Sequence, residues 1–168
     1  MERGRFISLE GGEGAGKSTQ VRALAAALRE RGVNVVETRE PGGSDGAEKI
    51  RELLLTGDDE RWSAKAEALL FAAARTDHVD KLIRPAIEAG KWVVSDRFVD
   101  SSLAYQGGAG GLGIETGRAI NAFGIEEWFP DRTLVLALAE GGARARARDN
   151  EVSDRIGGRP ENYHQKVD

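Results

Sequence analysis

The chain contains no cysteine, only two histidines and no apolar run long enough to span a bilayer. Without cysteine there are no disulfides and no thiolate metal site, and His78 and His164 are too few for a histidine-built cluster. Any metal is therefore expected to be a hard cation held by oxygen. Absence of a membrane-length segment leads to the expectation of a soluble protein. Met1 to Arg5 runs directly into an apolar stretch with no signal region, so the expected location is the cytoplasm. Internal repeats, low-complexity tracts and linkers are missing too. With a net charge of −4, a broad nucleic-acid surface is not expected, although arginines can still cluster around small anions.

What is present is a globular mixture: 168 residues, 40% hydrophobic and 31% charged, enough for one domain with its own core over 1–168. Strand-like segments alternate with helical ones, the pattern of an α/β fold in which helices flank a parallel sheet. Strands are expected at Arg5–Glu10, Asn34–Arg39, Lys91–Asp96 and Arg132–Ala139. Helices are expected at Lys17–Arg31, Ala47–Leu55, Ala64–Ala89, Ser101–Tyr105 and Ile114–Phe123. Pro85 should kink or break the third helix. Gly32 and Gly90 each follow a helix and precede a strand, which suits helix termination. Gly107–Gly113, with five glycines in seven positions, is expected to be loop.

The sharpest motif follows the first strand. Gly11-Gly12-Glu13-Gly14-Ala15-Gly16-Lys17-Ser18 satisfies the G-x-x-x-x-G-K-[ST] phosphate-binding pattern and opens a helix. Its glycines let backbone N–H groups curl around phosphate oxygens, Lys17 reaches toward the β- and γ-phosphates, and the Ser18 hydroxyl is suited to Mg²⁺. The third strand ends Ser95-Asp96-Arg97, delivering a carboxylate to the edge where ligands bind in such sheets. Asp96 fits a metal-organising role, or the cap of the next helix. Arg97 and Arg39, from different strands, point to an acceptor that itself carries phosphate. Phe71 and Arg75 share a helix face and suit base stacking plus hydrogen-bond donation, although Phe71 alone also fits a core position. Ser102, Tyr105 and Gln106 add polar groups just after Asp96-Arg97. Arg144, Arg146 and Arg148 read by themselves as a solvated basic helix end.

Four segments together resemble the thymidylate kinase family: Glu10 to Thr19, Thr38-Arg39-Glu40-Pro41-Gly42-Gly43, Asp96-Arg97-Phe98, and Ser101 to Gly107. The resemblance implies a three-layer P-loop NTPase fold of the nucleoside monophosphate kinase kind with a mobile lid at approximately 146–160, and a homodimer formed through helices. It implies phosphorylation of dTMP to dTDP by ATP with Mg²⁺, and no nucleic-acid or membrane partner. By matching position, Gly11, Gly12, Glu13, Gly14, Ala15, Gly16, Lys17, Ser18 and Thr19 belong to the ATP site, with Ser18 and Asp96 at the metal. Glu13 approaches the acceptor's 3′-hydroxyl, and Arg39 and Arg97 hold its phosphate. Phe71 stacks on thymine and Arg75 donates to its carbonyl oxygen. Tyr105, with Ser102, crowds the 2′ position, and Gln106 completes the base pocket.

Where the animal and yeast branch carries a P-loop arginine, this chain has Gly14. The resemblance then assigns the catalytic arginine to the lid, to Arg155 with Arg146, Arg148 and Arg159 as partners. Gly110, Ala137, Glu140 and Gly157 depart from the family pattern. Asp168 falls inside an implied helix beginning near Pro160, and family members continue for a further strand and helix. Two other readings fit the same motifs: a kinase for another nucleoside monophosphate or a deoxynucleoside, and a catalytically weak ATP-binding module.

Overall fold

The structure is a computed structural model and describes residues 2–137. Four strands, β1 (Phe6–Gly11), β2 (Val35–Arg39), β3 (Trp92–Asp96) and β4 (Arg132–Leu136), form one sheet in the order β2-β3-β1-β4, with every neighbouring pair parallel. The expected α/β architecture is therefore the observed one. The helices are α1 (Lys17–Glu30), α2 (Asp45–Leu55), α3 (Ala64–His78), α4 (Arg84–Glu88), α5 (Val99–Ser102) and α6 (Ile114–Ile125). Positions 138–139 of the expected fourth strand lie outside the described residues. So do the expected lid at 146–160 and its arginines Arg146, Arg148, Arg155 and Arg159.

Alternation along β1 and β3 divides the core between the sheet's two faces. Phe6 and Val93 pack with Val79, Ile83, Ile87, Phe98 and Ile125, whereas Leu9 and Val94 pack with Val21 and Ala25 of α1 and with Val35. Each of these side chains is almost fully removed from water, and burying one contributes roughly 1.5–3 kcal/mol. Gly32 (φ 79°) and Gly90 (φ 75°) end α1 and α4 in the left-handed region, as their placement before strands predicts.

The expected 64–89 helix is three pieces. A π-helical turn, Val79–Ile83, separates α3 from α4, and the Arg84 N–H bonds the carbonyl of Val79, five residues back. This wide turn comes just before Pro85, whose ring would clash with the carbonyl four residues back in a regular helix. The helical path thus survives the proline. α2 begins two residues earlier than expected, with Asp45 and Glu48 in its first turn to complement the helix dipole.

A second correction concerns the glycine-rich stretch. Residues Leu103–Ala109 form a second π-helical segment continuing α5, so Gly107 and Gly108 are helical rather than loop. Close backbone packing requires glycine where the segment ends, at Gly110. The Gly110 N–H bonds the Tyr105 carbonyl at 2.6 Å, and a Cβ at Gly110 would lie 2.7 Å from the Gln106 carbonyl oxygen.

Candidate active site

Parallel register brings the chemistry together. Asp96 pairs with Leu9 of β1 on one side and with Arg39 of β2 on the other, so the carboxyl ends of β1, β2 and β3 meet at one edge. β1 leads there into the phosphate-binding loop, which closes at Gly16 (φ 88°), the residue capping α1. Its left-handed backbone is readily available only to glycine. Gly14 (φ 72°) shares that region.

Over this edge lies a cavity of about 580 Å³, within the range of small-molecule sites. Its lining joins Glu13, Gly14, Gly16, Lys17, Ser18 and Thr19 of the loop and α1 with Arg39, Phe71, Arg75, Ser102, Tyr105 and Gln106, and includes Asp96 and Arg97. Three residues expected at the ATP site do not face the cavity. Gly11 completes β1 against Leu136, Gly12 turns its carbonyl to Lys17, and Ala15 is buried.

Lys17 Nζ donates to the carbonyls of Gly11 (2.9 Å) and Gly12 (2.8 Å), folding the ammonium against its own loop. Burial, reinforced by repulsion from Arg97, lowers its pKa to about 8. Burial likewise raises the Asp96 carboxyl above its ordinary value, against the pull of Lys17 and Arg97. Both groups are thus poised to gain from a partner of opposite charge.

Arg97 adopts φ 70°, an uncommon backbone for a residue with a side chain. Every backbone polar group around it is tied down: its N–H bonds the Leu9 carbonyl, its carbonyl accepts from Ser95 Oγ, and the next N–H, of Phe98, donates to Glu10 Oε1 at 2.7 Å. The guanidinium lies 5.2 Å from the Tyr105 ring centroid and donates to Ser101 Oγ at 3.0 Å, and its Nη2 is 3.6 Å from Glu13. Arg39 is half exposed and paired to Glu48 at 3.0 Å.

Phe71 and Arg75, one helical turn apart on α3, both line the cavity, as their spacing predicts. Arg75 is buried in a network that spacing does not reveal. Its Nε donates to Glu40 Oε2 (2.6 Å), Nη1 to Ser102 Oγ (2.9 Å) and Asn121 Oδ1 (2.7 Å), and Nη2 to the Phe98 carbonyl (3.2 Å). Glu40 Oε1 meets His78 Nδ1 at 2.9 Å, and His78 Nε2 meets Thr38 Oγ1 at 2.7 Å. Gln106 Nε2 reaches Glu67 Oε1 at 3.4 Å.

Four residues escape the sequence reading as members of the site: Glu10, Glu40, Arg51 and His78. Arg51, from α2, lines the cavity and donates to the Pro41 carbonyl at 2.7 Å. Glu10 and Glu40 had a signal, since each is an acid where a strand gives way to a turn rich in glycine or proline. Burial pushes Glu10 up to about 7, opposed by its bonds from Ser101 and Phe98. Among the described residues no group of three or more metal-ligating side chains occurs, so a cation here would rely on Ser18, Asp96 and oxygens from its ligand. No helix of the described residues is long and apolar enough to cross a membrane.

The sequence model of the family described as Thymidylate kinase matches residues 9–168. A thymidylate kinase of Rhizorhabdus wittichii is 63% identical over 166 residues, covering 98% of this chain and 80% of that protein. One of Symbiobacterium thermophilum is 53% identical over 162 residues, covering 96% and 75%. The crystal structure of thymidylate kinase from Ehrlichia chaffeensis superposes with a TM-score of 0.76 at 38% identity, covering 88% of this chain and 83% of that one. That likeness extends to the fold, a parallel sheet flanked by helices with a phosphate-binding loop after its first strand. The loop after β1, Arg39, Arg97, Phe71 and Arg75 share one cavity in a chain so similar over nearly its whole length, and the chain belongs to the thymidylate kinase family.

Proposed function

We propose that this chain transfers the γ-phosphoryl group of ATP to dTMP, giving dTDP for dTTP synthesis. One observation carries the reading: the phosphate-binding loop and the Arg39, Arg97, Phe71 and Arg75 side chains line the same cavity. A phosphate donor at the Lys17 end and a phosphorylated nucleoside at the Phe71–Arg75 end are thereby brought together in one enclosure.

Gly14, Gly16, Lys17, Ser18 and Thr19 take the ATP phosphates, with the loop's backbone N–H groups and the α1 N-terminus adding to the attraction. Arg39 and Arg97 take the dTMP phosphate, and Glu13 takes the sugar's 3′-hydroxyl. Phe71 stacks on thymine, Arg75 donates to its carbonyl oxygen, Tyr105 and Ser102 disfavour a 2′-hydroxyl, and Gln106 closes the base recess. Ser18 and Asp96 offer the hydroxyl and carboxylate oxygens that suit Mg²⁺, and the raised Asp96 pKa fits a group that gains from a nearby cation. When bound, Mg²⁺ neutralises phosphate charge during in-line transfer. The protein's own contribution is positioning and neutralisation, since a phosphate oxygen of dTMP is a competent nucleophile at neutral pH.

Gly14 leaves the loop without an arginine, so the cation that closes on the transferring group is assigned to Arg155, Arg146 or Arg148 of the 146–160 lid within a single 1–168 domain. α3 and α6 pack together and expose Leu69 (58%) and Phe123 (90%), which supports a homodimer formed through these helices. Substrates of this kind fit the cytoplasmic location expected from the sequence.

A coupled assay with ATP, Mg²⁺ and each nucleoside monophosphate tests the reading. dTMP is expected to be the preferred acceptor, and equal turnover of dTMP, dUMP, dGMP and dCMP would overturn it. Arg97→Ala is expected to lose dTMP binding while retaining ATP binding.

A further inference from the structure

His78 is wholly buried and is not itself among the residues that line the cavity, yet it sits behind Arg75, which is. Glu40 stands between them, one oxygen on His78 Nδ1 and the other on Arg75 Nε. A carboxylate only accepts, so Nδ1 carries a proton and donates. Thr38 Oγ1 holds the opposite ring nitrogen at 2.7 Å, which fixes the plane of the imidazole. Gly43 lies against the same ring: a Cβ there would come within 2.3 Å of Nε2.

Arg75 has five N–H donors, and Glu40, Ser102, Asn121 and Phe98 take four of them. The remaining one, on Nη2, is the donor left for an acceptor in the cavity. Its direction is set by the other four bonds, and the shortest of these is the one to Glu40.

We infer that His78 is a positioning residue for nucleobase choice: through Glu40 it fixes the Arg75 guanidinium so that its last N–H meets a ring carbonyl and rejects a ring amino group. This deepens the proposed function and rests on dTMP being the acceptor. Thymine presents a carbonyl oxygen at the position where cytosine presents an N–H₂ donor, so a fixed donor separates dTMP from dCMP. A guanidinium free to swing would lose that separation without losing its charge.

The test is steady-state kinetics with dTMP and dCMP, the unaltered chain first. Its failure to make dTDP would overturn the function and the inference with it. Given turnover, His78→Phe is expected to raise the dTMP KM about tenfold and to cut the dTMP-over-dCMP preference about tenfold, while the ATP KM moves less than about twofold. His78→Asn, which keeps an N–H donor near the place of Nδ1, is expected to recover most of both losses. A preference for dTMP over dCMP unchanged in His78→Phe, or a parallel rise in the ATP KM that His78→Asn does not rescue, would overturn the inference alone. If His78→Phe melts below the assay temperature, Thr38→Val decides: a smaller change in the same direction supports the role, and an unchanged dTMP KM and preference overturn it.

Discussion

Ser101 donates its hydroxyl to Oε2 of Glu10 across 2.5 Å, joining the end of β1 to α5, just past Arg97. Ser101 Oγ in turn accepts from Arg97 Nη1, so the hydroxyl passes the position of a buried acid on to the guanidinium. Ser101→Ala is expected to raise the dTMP KM about tenfold while leaving that for ATP within about twofold, because one charge-assisted bond orienting Arg97 is lost. Kinetics with each substrate varied in turn checks this, and equal effects on both would contradict it.

Glu10 itself links stability to pH. Burial raises its pKa from 4.5 to about 7 in the folded chain, so the native state binds the proton more tightly than the unfolded one. The Glu10 contribution is most favourable below about pH 4.5 and is lost as pH rises through about 7, a swing on the order of 3 kcal/mol. Glu10→Gln removes this term. Urea midpoints at pH 5 and pH 8 should therefore show the variant gaining on the parent at the higher pH, and a constant difference would refute the assignment.

Lys17 predicts a proton uptake. With a pKa near 8 in the free protein, its ammonium is partly deprotonated at pH 8.5, and phosphate oxygens favour the charged form. ATP binding at pH 8.5 is expected to take up a fraction of a proton. Calorimetry in two buffers of different ionisation enthalpy measures it, and Lys17→Met should abolish it.

Gly110 tests the second π-helical segment. A methyl group there meets the Gln106 carbonyl at 2.7 Å and the Tyr105 carbonyl at 3.0 Å, neither of which is a flexible side-chain end. Gly110→Ala should cost about 1–3 kcal/mol of stability. Gly108→Ala, where the nearest atom is 3.8 Å away, should cost nothing when measured in the same denaturation series.

The strands, the phosphate loop and the Asp96-Arg97 corner were legible because each is written in a local pattern: alternation, a glycine spacing, an acid after an apolar run. Phe71 and Arg75 were legible as a pair for the same reason, through helical spacing. The bonds that hold them were not. Arg75 is fixed by Glu40, Ser102 and Asn121, which are 35, 27 and 46 residues away, and Glu10 meets Ser101 across 91. Such partners are chosen by sheet order and helix packing, which periodicity leaves open. Residues 110–113 are loop as expected, but 107–109 misled for a different reason: glycine marks both freedom and crowding, and only the neighbouring atoms distinguish the two.

Arg97 holds a backbone conformation at φ 70° that suits glycine better than arginine. Stability and affinity therefore pull in opposite directions at this one position. Arg97→Gly should be the more stable of the pair Arg97→Gly and Arg97→Ala by about 1 kcal/mol, with dTMP binding lost in both. A search for hardier versions of this protein guided by stability alone would drift toward glycine here and discard the substrate.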